Sequence, residues 1–207
     1  VKIVIFATGI AARRSTNYKN STSYKTDGRT NQKIHQQIVS LRKDAKNAAK
    51  VLGVKDIEFL DFPDNEMDLI SNLEITKAIE KIIKNFKPDQ VFTHTNFDVN
   101  VDHRALYNAT LTATRPKKGS RIKKVFSFEI PSSTEWYFPT QFSPNVFVNI
   151  ESEIKSKIQA LSKYKTELED FPHPRSKDAL ESISKKWGSV SGYNNAEAFY
   201  LVRELTD

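Results

Sequence analysis

Short apolar runs alternate with longer amphipathic stretches along the chain, and this alternation limits the fold more than any other feature of the sequence. Residues 1–8, 57–60, 90–94, 123–130 and 145–150 are rich in β-branched and aromatic side chains, which predicts strands. Between them lie stretches with apolar residues three and four positions apart, which predict helices. Strands that alternate with helices favour an α/β fold with a Rossmann-like, mostly parallel sheet covered by helices on both faces.

The predicted helices carry recognisable end signals. Gly53 follows the first of them at the place of a left-handed cap, and Ser71 with Glu74 forms a capping box at the start of the second. The tail, residues 196–204, fits a strand or a helix, and its periodicity does not choose between them. The predicted helices cover 31–52, a stretch from the Ser71 cap to a point before Pro88, then 102–114, 151–167 and 177–186.

The whole chain, residues 1–207, is expected to form one domain. Ligands of parallel sheets bind beyond the carboxyl ends of the strands. The segments that follow the predicted strands are therefore the candidates for a site, and the polar stretch 13–31 is predicted to be a mobile flap over it because it is too long for a plain connection. The candidate segments are 8–30, 61–68, 95–103 and 131–144.

Composition excludes several classes of protein. With 38% hydrophobic and 11% aromatic residues the chain is not disordered, and no apolar run approaches the roughly 20 residues of a membrane span, so we expect a soluble, cytoplasmic protein. Cysteine is absent, so any metal is held by His, Asp or Glu. The net charge of +7 comes from lysines spread over every predicted helix, without a basic stripe interleaved with aromatics, which argues against a nucleic-acid partner.

The segment 93–104 concentrates more chemically active side chains than any other. It follows a predicted strand and brings Asp98, Asn100, Asp102 and His103 to the start of a helix. A helix N-terminus disfavours the protonated imidazole, so His103 is expected in the neutral form that binds metals, with Asn100 and Asp102 able to orient ligands. The same residue types are also typical of caps and turns, and the pattern alone leaves both interpretations open.

Several segments together resemble the LmbE/PIG-L family of zinc-dependent N-deacetylases. The run Phe97-Asp98-Val99-Asn100-Val101-Asp102-His103-Arg104 resembles the second metal motif of that family. The other matching segments occur in the order of the family and cover essentially the whole chain. They are Arg42 with 52–54, then 59–64, 128–136, 172–176 and 196–199.

The resemblance implies hydrolytic N-deacetylation of an N-acetylglucosamine-type substrate, a small-molecule amino-sugar conjugate, with release of acetate. It also implies one zinc ion, His103 as a metal ligand, and catalytic roles for Asp98, Asn100 and Asp102. Some relatives have a histidine at the position of Asn100. An asparagine can donate a hydrogen bond there but cannot carry a proton, so stabilisation of an oxyanion would depend on other groups.

Substrate contacts are implied for six further residues. An arginine suits bidentate recognition of anionic groups, and a carboxylate beside an aromatic face suits a sugar pocket. Each residue also has a structural alternative: a solvated helix arginine, a plain turn, a packed loop or a rigid loop between prolines. The six residues are Arg42, Asp64, Glu135, Trp136, His173 and Arg175.

The first motif of the family, His-Pro-Asp-Asp followed by an acid, is not in this sequence. In relatives it ends the strand before the one that resembles residues 1–8, so we expect it upstream of Val1. By resemblance it supplies two of three zinc ligands and the aspartate general base, and a chain that begins at Val1 is therefore expected to be inactive. The alternative function is a non-catalytic version of the same fold that binds a carbohydrate or a partner.

Overall fold

The computed structural model describes residues 1–10, 28–139 and 142–206, with the backbone alone for residues 28–31. It confirms the α/β class. Two compact units are present, Val1–Met67 with Lys155–Leu168 and Asp68–Ile154 with Glu169–Asp207. The elements in chain order are β1 (Lys2–Ala7), α1 (Gly28–Val51), β2 (Asp56–Phe62), α2 (Asn72–Phe86), β3 (Gln90–His94), α3 (Val101–Ala113), β4 (Lys124–Phe128), β5 (Val146–Asn149), α4 (Ile154–Leu161), α5 (Lys177–Ser191) and β6 (Ala196–Glu204).

The first unit contains α1 and a parallel sheet of two strands. Strand β1 pairs with β2 from Lys2 opposite Asp56 onwards, and the Lys2 Nζ lies 2.9 Å from the Asp56 carboxylate. Helix α1 contacts β2. Its buried residues Ala45, Ala48 and Ala49 follow the three- and four-residue spacing on which the helix was predicted.

The second unit contains a mixed sheet in the order β3-β4-β6-β5. Strands β3 and β4 are parallel, from Gln90 opposite Lys124 to His94 opposite Phe128. Strand β6 is antiparallel to both β4 and β5, so the parallel arrangement expected from the sequence is confined to one side of this sheet. Because β3 and β4 are parallel neighbours, the loops that follow them leave the same edge side by side.

The predicted caps are confirmed by the backbone. The Ser71 Oγ accepts a hydrogen bond of 3.1 Å from the backbone N–H of Glu74 at the start of α2. Gly53, just beyond α1, has a φ of 71°, which is the left-handed region that glycine enters without strain. These ends were readable from the sequence because each depends on residues within a few positions of it.

Helix α4 is shorter than predicted, since it ends at Leu161 rather than near residue 167. The backbone N–H groups of Lys163 and Tyr164 donate to carbonyls three residues back, at 3.1 and 2.9 Å, which tightens and ends the last turn. The polar run that follows Leu161 offers too few apolar side chains to bury another helical turn.

The structure also bears on the tail, on the polar stretch 13–31 and on membrane spans. The ambiguous tail forms strand β6. Residues 28–31 of the predicted flap belong to α1, and residues 11–27 lie outside the described part of the chain. None of the helices within the described ranges is long and apolar enough to cross a membrane.

Helix α5 extends past its predicted end and comes very close to the segment that leads into β6. A Cβ on Gly188 would lie 2.5 Å from the carbonyl oxygen of Tyr193 and 2.8 Å from that of Asn194. Both contacts are with backbone atoms, which cannot rotate away as the end of a side chain can. Glycine is therefore required at this position by the close approach of two segments.

We expect Gly188→Ala to destabilise the protein by about 2 kcal/mol, because the added methyl group forces the backbone apart. In an ordinary helix interior the same change stabilises by about 1 kcal/mol, so the sign of the effect is the test. Urea denaturation measures it, with Ser189→Ala at the exposed neighbouring position as the control. Equal or greater stability of Gly188→Ala contradicts the close approach.

Candidate active site

The start of α3 is built by side chains of the loop that precedes it. The Asn100 Oδ1 accepts a hydrogen bond of 2.8 Å from the backbone N–H of Asp102, so Asn100 is the N-cap. Its own N–H donates to the Asp98 Oδ1 at 2.8 Å. The Arg104 Nη1 donates to the carbonyl oxygens of Asp98 and Val99, at 2.5 and 2.9 Å. The cap interpretation of Asn100 is thus confirmed, and its Oδ1 is committed to the helix.

Asp98 is completely buried, with 0% of its surface exposed, and its carboxylate has four polar partners. Besides the Asn100 N–H, the Ser133 hydroxyl donates to Oδ1 and the Thr134 hydroxyl donates to Oδ2 at 2.9 Å. The His103 Nδ1 lies 3.1 Å from Oδ1. Burial acts to raise the pKa of Asp98, but the hydrogen bonds from His103 and Ser133 outweigh it and hold that pKa below its usual value. The carboxylate therefore stays ionised.

His103 lies in the first turn of α3 with its Nδ1 facing Asp98. An ionised carboxylate only accepts hydrogen bonds, so the Nδ1 that faces it carries a proton. In the neutral form of the ring, Nε2 then keeps its lone pair. A carboxylate behind the imidazole is the usual arrangement of a histidine that binds a metal.

His94, the last residue of β3, stacks on His103 with ring centroids 4.2 Å apart and ring planes 10° apart. Its Nδ1 is buried and has no hydrogen-bond partner among the described residues. Burial, with a smaller effect of His103, lowers the pKa of His94 to about 3. A neutral, flat ring therefore lies against the candidate metal ligand.

The loop after β4 supplies Ser133 and Thr134, which the sequence did not single out. Their signal was present as two adjacent hydroxyls following a strand at the same sheet edge as Asp98. Glu135 lies in the same loop, and its carboxylate accepts hydrogen bonds from the backbone N–H groups of Ser132 and Ser133, at 2.7 and 3.0 Å.

Trp136, His173 and Arg175 were predicted to contact substrate, and the structure brings them together. The rings of Trp136 and His173 meet edge to face with centroids 6.0 Å apart. The backbone N–H of Arg175 donates to the His173 Nδ1 at 3.1 Å. Trp136 keeps 47% of its surface exposed, which leaves part of its ring able to meet a ligand.

Arg42 and Asp64 belong to the first unit. The Arg42 Nη2 donates to the Asp61 Oδ1 at 2.6 Å and to the Leu60 carbonyl at 3.2 Å, and its guanidinium lies 5.3 Å from the centre of the Phe59 ring. Arg42 is thus anchored to the end of β2 rather than simply solvated. Asp64 follows that strand, and the substrate roles of both residues stay predictions.

Within the described ranges no group of three or more His, Asp or Glu side chains is arranged to hold an ion. His103 by itself fits a metal ligand, because Asp98 fixes its Nδ1 and its Nε2 has no hydrogen-bond partner among the residues that the structure describes.

The chain is similar to several known proteins. A sequence profile described as "PIG-L: GlcNAc-PI de-N-acetylase" matches residues 2–114. The uncharacterized deacetylase YaiS of Escherichia coli K12 is 32% identical over 135 residues, which are 62% of this chain and 67% of that protein. The diacetylchitobiose deacetylase of Thermococcus kodakarensis is 25% identical over 184 residues, 84% of this chain and 68% of that protein.

Solved structures share this fold. The structure of N,N'-diacetylchitobiose deacetylase from Pyrococcus horikoshii, complexed with its inhibitor MPG, matches with a TM-score of 0.70 and 20% identity, over 97% of this chain and 72% of that chain. At this level of identity the match concerns the fold.

The buried His94 gives the folding stability a defined pH dependence. Below pH of about 6.5 the unfolded chain protonates His94, whereas the folded chain keeps it neutral until about pH 3, so the stability falls as the pH falls through this window. His94→Phe keeps a flat ring and removes the titrating group. We expect urea denaturation between pH 6 and 4 to give a wild-type slope steeper than that of His94→Phe by about 1.4 kcal/mol per pH unit. Equal slopes contradict the shifted pKa.

Proposed function

The chain belongs to the PIG-L family of GlcNAc-PI de-N-acetylases, and on that premise we propose that it hydrolyses the N-acetyl amide of an N-acetylglucosamine-type sugar, with one zinc ion, and releases acetate. The relatives named above are deacetylases, which supports the reaction type. The observation that carries the proposal is the His103 imidazole, whose Nδ1 is held by a buried ionised carboxylate and whose Nε2 has no partner within the described ranges.

In this proposal His103 holds the zinc ion through Nε2, and Asp98 keeps the ring in the required tautomer. A zinc ion bound there supplies a Lewis acid for the amide carbonyl and lowers the pKa of its water. The family resemblance assigns two further ligands and the general base to the His-Pro-Asp-Asp motif, which this sequence does not contain.

The amino end of α3 has the electrostatics for an amide hydrolysis. The helix carries a partial positive charge at its N-terminus, which favours negative charge developing on an amide oxygen nearby. Because the Asn100 Oδ1 is used by the cap, the Asn100 amide offers its NH₂ as the donor on this side. Asp102, buried in the first turn, completes the proposed catalytic group with Asp98 and Asn100.

The sugar is proposed to lie against the cluster of Trp136, His173 and Arg175. The half-exposed indole of Trp136 presents an apolar face to the C–H groups of a sugar ring. Arg175, whose backbone N–H binds His173, suits recognition of hydroxyl or anionic substituents. For Arg42 and Asp64, which lie in the first unit, the family resemblance implies substrate contacts that stay predictions. This mixture of one aromatic face with a few polar groups is typical of small-molecule sites.

His103→Ala tests the proposed metal role. We expect the product of the full reading frame to contain zinc and to release acetate from N-acetylglucosamine or diacetylchitobiose, and His103→Ala to lose zinc and at least about 100-fold in kcat/KM. Metal analysis and an acetate assay measure the two effects. The control is His35→Ala, at an exposed position of α1.

Unchanged zinc content and rate in His103→Ala would show that this histidine is not a ligand. A wild-type protein that binds the sugar in calorimetry but releases no acetate would instead support the non-catalytic alternative.

Trp136→Ala tests the sugar contact. If the exposed indole face binds the sugar ring, we expect KM to rise about tenfold while kcat changes little, because the contact forms before and during the reaction alike. Phe138→Ala removes an even more exposed aromatic ring of the same loop and is the matched control. Equal effects of the two substitutions contradict a specific role of Trp136.

A further inference from the structure

Glu135 was predicted from the sequence to contact substrate, and its geometry assigns it another task. We infer that Glu135 is a positioning residue that braces a turn whose hydroxyls hold Asp98 and, through Asp98, His103. The inference rests on the proposed function in that His103 is the residue whose orientation matters.

The turn after β4 holds Ser132 in an unfavourable backbone conformation. Ser132 has a φ of 69°, a left-handed conformation that costs a non-glycine residue of the order of 1 kcal/mol or more. The Glu135 Oε1 accepts from the N–H of Ser132 at 2.7 Å, and its Oε2 accepts from the N–H of Ser133 at 3.0 Å. Bonds from two consecutive N–H groups to one charged carboxylate offset the cost and fix the direction of the chain.

The turn places the hydroxyls of Ser133 and Thr134 against Asp98. The Thr134 Oγ1 accepts from the N–H of Ile130 at 2.8 Å and donates to the Asp98 Oδ2 at 2.9 Å, so its hydrogen has one direction. The Ser133 hydroxyl donates to the Asp98 Oδ1 and lies 3.5 Å from the His103 Nδ1. Both hydroxyls therefore depend on the path of the backbone at residues 132–134.

Asp98 connects these hydroxyls to His103. Asp98 accepts from both hydroxyls and also faces the His103 Nδ1 at 3.1 Å, so the position of its carboxylate decides the tautomer of His103. If the two hydrogen bonds to the Glu135 carboxylate are lost, Ser132 relaxes from its unfavourable φ and Ser133 moves with it. The Asp98 carboxylate then has weaker donors, and His103 is held less firmly.

The same geometry argues against a direct substrate role for Glu135. Each of its two carboxylate oxygens already faces a backbone N–H of its own turn. A substrate hydroxyl would share those oxygens with charge-assisted bonds that the left-handed turn needs.

The experiment observes His103 without any metal or substrate. In the full chain, ¹⁵N NMR of the imidazoles at a fixed neutral pH reports which nitrogen of His103 carries the proton. We expect the wild-type ring to be almost wholly in the Nδ1–H form, and Glu135→Gln, which loses one acceptor and the charge, to raise the Nε2–H form severalfold. Ser133→Ala should change the same signal in the same direction.

A double-mutant cycle shows whether the two residues act in series. Glu135→Gln should have a much smaller effect in the Ser133→Ala background than in the wild type, because residues that act through one pathway are not additive. The control is Glu181→Gln, an exposed glutamate of α5 paired with Lys185 at 2.8 Å, which should leave the His103 signals unchanged. If Glu135→Gln unfolds the chain, Ser133→Ala and Thr134→Val, which leave the brace intact, still test the link to His103.

Kinetics on the zinc-loaded product of the full reading frame separate the two roles of Glu135. A positioning role lowers kcat about tenfold with KM little changed. A raised KM with wild-type imidazole signals, or full additivity in the cycle, overturns the inference. Because the NMR readout needs no turnover, a failure to release acetate would count against the proposed function alone.

Discussion

The second unit depends on one buried carboxylate. Asp98 has no exposed surface, and a buried carboxylate without partners would cost several kcal/mol. Its partners come from the loop after β3, from α3 and from the loop after β4, at Asn100, His103, Ser133 and Thr134. Because each must be in place for the carboxylate to be satisfied, this side chain links all three segments.

The parallel pairing of β3 with β4 is what makes that convergence possible. It sends both loops out of the same sheet edge, and a backbone hydrogen bond of 2.9 Å from Thr95 to Phe128 continues the pairing beyond the strands. The antiparallel β6 on the other side of β4 begins at that edge rather than ending there, since its chain runs in the opposite direction. The side chains around Asp98 therefore come from the loops after β3 and β4 and from the start of α3.

Local features of this architecture were readable from the sequence, and distant ones were not. Strand β3 and the start of α3 follow from β-branched content and from Asn100, whose cap involves a residue only two positions away. One partner of Asp98, Ser133, lies 35 residues further on, and no local pattern specifies that contact. Glu135 shows the related difficulty that a carboxylate suits a sugar pocket and a strained turn equally well, and only the geometry shows which hydrogen bonds it makes.

The buried charge of Asp98 is the electrostatic basis of the metal role proposed for His103. The donors to its carboxylate are hydroxyls, a backbone N–H and an imidazole, none of which needs a formal charge, while the nearby Arg104 donates to backbone carbonyls instead. The Asp98 carboxylate therefore keeps its negative charge in a buried place. His94 adds no positive charge, since burial lowers its pKa to about 3. A divalent ion at the His103 Nε2 would balance this charge through the ring, which is the electrostatic reason for a carboxylate behind a metal-binding histidine.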